Sequence, residues 1–535
     1  MPKKFQYYFL KAVSYGVACS LCFIGLLFWE VTAFSETHTF AEKLQKQWHQ
    51  YQAAQEFALK RVNDPTLPPE KQFVTREEWE NITLLKGEWA FSDDDLNRLR
   101  LSQKVRVQLA KEKAEKSSIF NIANLRRHPQ EKRTAEVTGF CAAFPKGGML
   151  HIHPWGTLHR PILQKLFVKS NPALNVAEIL EEIKNPENGE LLYPQEIAWL
   201  KRLPPKPNFL TLSPGDQARF VDMNFLPPGA HPFERFDTVF AFLSTALSPT
   251  SVGSTENLIE AYRDYADQLK KEKVLYVEFT TGVSAKYLEE YKKIAEFYER
   301  DFGIVARFNA SFARTLSRED QRKEISEFLE TVNSPLVVGI DLLANEKNTP
   351  ALEKGQAIYI PVLTYVRAGK RQLHRTMHAG ELGDSRNPRD AMILGAERLG
   401  HGVKLEDDPI SLEYAAIHQL PVEINLTSNV KLEAVKNLST HPFLRYLRLG
   451  LKVSLSTDDE GIFKTTINQE CEKAILNTDI TYAEMKKMSY NAIDTAFVSD
   501  TEKKHLFEQL DRQFEIFEKK LNRDELKRVP RPLNP

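Results

Sequence analysis

The sequence predicts an α/β fold of the (β/α)8 barrel type, extended at its N terminus by helices and interrupted after the first strand by a Pro-rich insertion. Three observations predict it. Eight short apolar runs alternate with amphipathic stretches of helical period between residues 149 and 455. His, Glu and Asp residues suited to chemistry fall at or just past the C-terminal ends of those runs, the face on which such barrels carry their sites. At 535 residues the chain is long enough for one barrel-sized domain with additions.

Composition narrows the partners. A hydrophobic fraction of 42% and a charged fraction of 27% are those of a globular protein. Lys and Arg number 72 and Asp and Glu number 72, so no basic surplus calls for nucleic acid or an anionic membrane surface. A small, weakly charged substrate is the simpler expectation.

The first 35 residues run from Lys3, Lys4 and Lys11 through an uncharged apolar stretch at Ala12–Trp29 to small residues around Thr32, Ala33 and Ser35. That order is the order of a secretory signal peptide. The apolar stretch is longer than the roughly 7–15 residues of such a peptide, so a signal anchor is the other reading. Either way the body of the protein is expected to be exported, periplasmic, extracellular or anchored facing outward, with membrane contact only through this segment. Cys19 and Cys22 lie inside the apolar stretch, where a redox role is outweighed by packing. Cys141 and Cys471 are expected to be free buried thiols.

Residues 36–140 read as a helical extension. Apolar residues recur at three and four (Trp48, Tyr51, Phe57, Leu59; then Leu96, Leu99, Leu101) around a break at Leu67-Pro68-Pro69, and Lys111–Lys116 is a solvated charge run. No cluster of metal ligands lies here, so it is expected to be a packing or oligomerisation layer. The barrel is assigned to residues 141–520, with an inserted lobe at about 160–231 and a C-terminal tail at 521–535. The lobe is rich in Pro (Pro194, Pro204, Pro205, Pro207, Pro214, Pro227, Pro228) and shows no sustained period.

The first strand is Met149-Leu150-His151-Ile152-His153, set between the turn signal Gly147-Gly148 and Pro154. Two imidazoles at i and i+2 of a strand face one side and can hold one ion together. Further strands are predicted at Val274–Phe279, Ile304–Phe308, Leu336–Asp341, Gln372–His378, Arg398–Val403, Val422–Leu426 and Lys452–Leu455. His378 and Glu381 follow the fifth strand, His401 ends the sixth, and Asp458-Asp459 follows the eighth. The expected metal ligands are His151, His153, His378 and Asp458 around one Zn2+ per chain, an N/O set with room for water. Zinc lowers the pKa of bound water to about 7. Glu381 is then the expected proton donor, His401 the group that orients the water and, as a cation, balances charge on its oxygen, and Asp459 an acceptor for the hydroxide or a ring nitrogen.

Gly147-Gly148-Met149-Leu150-His151-Ile152-His153, Val338-Gly339-Ile340-Asp341-Leu342, His378-Ala379-Gly380-Glu381, Arg398-Leu399-Gly400-His401-Gly402, Thr427-Ser428-Asn429 and Ser456-Thr457-Asp458-Asp459 together resemble the motifs of the adenosine deaminase family, in order. The N-terminal extension and the insertion are similar to its exported growth factor branch. The resemblance implies hydrolytic deamination of adenosine, and of 2′-deoxyadenosine, to inosine and ammonia. It also implies a homodimer through the N-terminal helices. It puts Asp341 and Ala344 in a loop whose backbone faces the purine, Ala344 standing where many members have Gly. Trp155 stands where cytosolic members carry an Asp for the ribose 5′ hydroxyl. His159, Glu278 and Arg314 are weaker candidates for the pocket wall. The competing readings are another metal-dependent amidohydrolase on the same barrel and a growth-factor-like binding protein that retains it.

Overall fold

Eight parallel strands pair in chain order: β1 Gly147–Ile152, β2 Val274–Thr281, β3 Val305–Ala313, β4 Val337–Leu343, β5 His374–Ala379, β6 Arg398–His401, β7 Pro421–Ile424 and β8 Lys452–Leu455. A parallel bridge between Ile152 and Asp458 brings the last strand back to the first, so the ring closes beside two candidate ligands. These features belong to a computed structural model that describes residues 39–126, 130–182, 194–247, 255–347 and 349–528. The proposed signal or anchor at residues 1–35, with Cys19 and Cys22, lies outside the described residues. Among them no helix is long and apolar enough to cross a membrane.

The strands are covered on both faces, which is why they read as near-continuous apolar runs. All eight residues of β2 are buried, including Glu278. That carboxylate accepts from Tyr276 (2.6 Å), Asn309 (3.0 Å) and the backbone N–H of Phe497 (2.6 Å), and it pairs with Arg398, itself 1% exposed. Burial pushes the Glu278 carboxyl up, but Arg398 outweighs it and holds it below its ordinary value. Glu278 is therefore part of the barrel's interior ion network, not of a pocket wall.

The N-terminal extension is a packing layer. Helices Phe40–Val62, Arg76–Thr83 and Asp93–Ser117 each open with a capping box, through Thr39 and Glu42, Thr75 and Glu78, and Ser92 and Asp95. Their inner faces meet barrel helices: Trp48 stacks on His418 at 4.7 Å, and Arg76 grips Glu353 through two bonds of 2.7 and 2.8 Å.

The structure adds detail to two assignments and overturns one expectation. The insertion is helical, with helices at Arg160–Ser170, Val176–Glu182, Pro194–Leu200 and Pro214–Asp222. Pro stands in the first turn of three of them, where its missing N–H costs nothing, so the prolines start short helices instead of excluding them. The last helix, Asp500–Arg528, runs on well past the predicted start of a tail at 521. Finally, Cys141 and Cys471 form a disulfide: packing of Gln130–Ala143 against Ile467–Asn477 brings their Cα atoms to 5.9 Å, within bridging reach.

Candidate active site

Four strand ends deliver the site. β1 carries His151 and passes into His153, and Asp458 is stitched between them: its N–H donates to His151 O (3.1 Å) while His153 N–H donates to its carbonyl (3.4 Å). Ser456 Oγ accepts from the N–H groups of Leu150 (3.0 Å) and His151 (3.2 Å) and braces the same junction. β5 delivers His378, then turns at Gly380 (φ +88°) to present Glu381. His401 (φ +60°) and Asp458 (φ +61°) both hold left-handed backbone that side chains other than Gly disfavour, a cost that recurs at functional sites.

The side chains converge. Ring centroids lie 4.3 Å apart for His151 and His378, 4.6 Å for His151 and His401, and 5.3 Å for His153 and His378. One donor atom each from His151, His378, His401 and Asp458 falls within 4.8 Å of the others, and His153, Asp458 and Asp459 form a second such group. His153 Nε2 lies 3.2 Å from Asp458 Oδ1. Burial lowers the His153 pKa, but Asp458 outweighs it and raises it above the ordinary value.

Three of these imidazoles are oriented alike. Nδ1 faces an oxygen acceptor in each: Glu423 Oε2 at 2.8 Å for His151, Thr280 O at 3.3 Å for His153, and Asp341 Oδ1 at 3.1 Å for His378. A proton on Nδ1 leaves the lone pair on Nε2, the form in which His binds a metal. Buried His151 Nε2 and both oxygens of Asp459 find no hydrogen-bonding partner among the described residues. Three inward lone pairs beside the Asp458 carboxylate fit a single divalent cation.

Burial pushes the Glu381 carboxyl well above its usual range, and Asp458, Glu346 and Asp459 add to the effect. Asp459 is raised in the same direction by burial and then by Asp458. Burial drives the His401 imidazole well below its ordinary value, which disfavours the cation expected from the sequence.

Asp341 lies inside β4, and beyond its Nδ1 contact it accepts from the His378 backbone N–H at 3.1 Å. It anchors a ring instead of facing a ligand from a loop. Ala344 has φ +80°, the backbone its Gly counterpart would adopt freely. Trp155 is half-buried and lines an apolar hollow with Leu258, Tyr262, Phe279, Tyr291 and Phe308. Arg314 donates to the carbonyls of Leu342 (3.1 Å) and His378, clamping β4 to β5. His159 meets Glu460 at 3.1 Å. Phe240, on the helix Phe233–Ala246 that follows the insertion, stands 6.3 Å from the His153 ring.

Sequence reasoning missed several supports. Glu423 sits between Val422 and Ile424 in a buried strand, and a charge in such a run was the available signal. Glu346 accepts from the N–H groups of Gly380 (2.9 Å) and Glu381 (3.1 Å), shaping the turn that presents Glu381. At Gly156 a Cβ would lie 1.7 Å from Asp459 Oδ1, so only hydrogen fits there.

The adenosine deaminase family profile matches residues 232–513. It starts after the insertion, so β1 with His151 and His153 stands outside the matched segment. The chain is 30% identical over 293 residues to an adenosine deaminase of Enterococcus faecalis, spanning 52% of this chain and 81% of that one. It is 34% identical over 209 residues to an adenosine deaminase of Vibrio cholerae, spanning 39% and 60%. An amidohydrolase from Burkholderia ambifaria, solved with bound Zn, superposes with a TM-score of 0.53 at 19% identity over 72% of this chain and 94% of that one, a likeness of fold.

Proposed function

Because the chain belongs to the adenosine deaminase family, we propose that it is a zinc-dependent hydrolase converting adenosine to inosine, and 2′-deoxyadenosine to 2′-deoxyinosine, with release of ammonia. The observation that carries the zinc reading is that Asp458 is shared by two groups of potential ligand atoms, one with His151, His378 and His401 and one with His153 and Asp459, while Nδ1 of His151, His153 and His378 faces an acceptor and leaves Nε2 for a metal. A zinc ion held there supplies an acidified water at neutral pH. Glu381 holds the proton that a purine ring nitrogen takes as hydroxide adds to the neighbouring carbon. His401 orients the attacking oxygen, and Asp459 accepts a hydrogen bond from it or from the ring. Glu381, His401 and Asp459 are all buried, which keeps bulk water from these groups.

The test is loss of adenosine absorbance, with and without a chelator, on protein lacking residues 1–35. Activity that survives full removal of metal would overturn the zinc reading. Glu381→Gln is expected to abolish turnover while metal stays bound; a variant that kept most of the rate would remove Glu381 from the proton-donor role. One metal per chain supports deamination, and two favour another amidohydrolase of this barrel.

Export through residues 1–35 and assignment to the growth factor branch are part of the same proposal. The order of basic, apolar and small residues supports the first, and the helical extension and insertion support the second. A homodimer through the N-terminal helices is supported by Leu101, Val105 and Leu109, 58%, 43% and 51% exposed at a spacing of four on one helix. Sedimentation of the chain with Val105→Lys checks it.

A further inference from the structure

His401 stands among the ligand atoms but is wired differently from the other three imidazoles. The helix Phe443–Leu449 begins directly after His441-Pro442, and the backbone N–H of Phe443 donates to His441 Nδ1 at 3.2 Å. A backbone N–H can only donate, so Nδ1 of His441 is an acceptor. His441 is 6% exposed, and burial pushes its pKa down to about 3, so the ring is neutral and its proton lies on Nε2. That N–H donates to Asn429 Oδ1 at 3.0 Å. The amide of Asn429 is thereby fixed with Nδ2 towards His401, 2.8 Å from its Nδ1. Nδ1 of His401 must accept.

We infer that His441 and Asn429 are positioning residues that set the tautomer of His401, placing its proton on Nε2 so that it offers the site an N–H and not a lone pair. The inference rests on the deaminase reading for its catalytic meaning. Every group in the chain Phe443 N–H, His441, Asn429, His401 has one permitted direction, and the chain ends on His401 Nε2, buried without a hydrogen-bond partner among the described residues. That atom is 3.7 Å from Glu381 Oε1 and 3.9 Å from Asp458 Oδ2. His151, His153 and His378 have acceptors behind Nδ1 and present lone pairs; His401 has a donor behind Nδ1 and presents hydrogen. The same fold thus separates three ligands from one hydrogen-bond donor among four adjacent imidazoles. A donor there holds the attacking oxygen and stabilises its growing negative charge, and it cannot take that oxygen's proton or bind the metal.

Asn429→Asp reverses the last link at nearly constant shape, because a carboxylate accepts from both His441 Nε2–H and His401 Nδ1–H. The metal-loaded variant is expected to lose at least ~100-fold in kcat, with KM changed by less than about threefold, since a histidine in the wrong tautomer costs a comparable enzyme up to ~10,000-fold. Nitrogen-15 NMR of histidine-labelled protein is expected to show the His401 proton on Nε2 in the parent and on Nδ1 in the variant. His441→Gln keeps a donor towards Asn429 and is expected to retain kcat within about fivefold, whereas His441→Glu turns the amide round and is expected to match Asn429→Asp. A His401 proton on Nδ1 in the parent, an undiminished kcat in Asn429→Asp, or equal rates for His441→Gln and His441→Glu would each overturn the inference. The NMR result is independent of substrate, so failure of the relay and failure of the deaminase reading are told apart.

Discussion

Glu423 Oε2 lies 2.8 Å from Nδ1 of His151, while the other oxygen of the same carboxylate accepts from Arg398 and, at 3.1 Å, from Thr376. One buried acid on β7 thus contacts a candidate ligand from β1 and pairs with an arginine on β6. Glu423→Gln keeps the shape but weakens the acceptor behind His151 and leaves Arg398 with one carboxylate. Metal affinity is expected to fall about 10–100-fold, the usual cost of losing such a partner. Metal retained during titration with a chelator checks this, and an unchanged affinity would detach Glu423 from the centre.

Gly156 lies directly against the Asp459 carboxylate. An alanine methyl would occupy the place of Asp459 Oδ1, 1.7 Å from its Cβ, so Gly156→Ala must displace that carboxylate. Turnover is expected to fall by ~100-fold or more while metal content holds, since Asp459 is assigned to the reacting groups and not to the ligands. Comparing kcat with bound metal distinguishes this outcome from general unfolding.

The junction of the N-terminal layer with the barrel is expected to respond to pH through Asp390. Burial raises the Asp390 carboxyl to about 6, against the opposing attraction of Arg76, which contacts it at 2.8 Å. A carboxyl whose pKa is higher folded than unfolded binds its proton more tightly in the folded state. Its stabilising contribution is therefore complete below the unfolded value and disappears as pH rises from 3.8 to about 6. Asp390→Asn is expected to remove this decline, seen as a flatter Tm between about pH 4 and 6. A parallel decline in parent and variant would assign it to other groups.

The disulfide closes a loop of 330 residues between the end of the N-terminal extension and the helix after β8. Restricting so long a loop in the unfolded chain is expected to stabilise the fold by about 2–5 kcal/mol. Cys471→Ala is expected to lower the denaturant midpoint, and reductant is expected to lower that of the parent but not of the variant. Equal midpoints with and without reductant in the parent would show that the bridge adds nothing.

The strands were legible because burial on both faces leaves near-continuous apolar runs, and the clearest site residues because each ends such a run. His151 and His153 could be paired from local periodicity alone. Glu423, Glu346, Asn429 and His441 could not be assigned this way. Their roles depend on what faces them from other strands and loops, and a buried Glu or Asn has the same local sequence whether it orients a ligand or satisfies a turn.

By itself the sequence determined the order of the eight strands and the strand end on which each candidate ligand and acid stands, because hydrophobic period and side-chain chemistry are local properties. Only the tertiary structure decided which nitrogen of each imidazole looks inward, that Cys141 reaches Cys471, and that Asp341 backs His378. Those outcomes depend on contacts between residues tens to hundreds of positions apart, brought together when the eighth strand closes on the first.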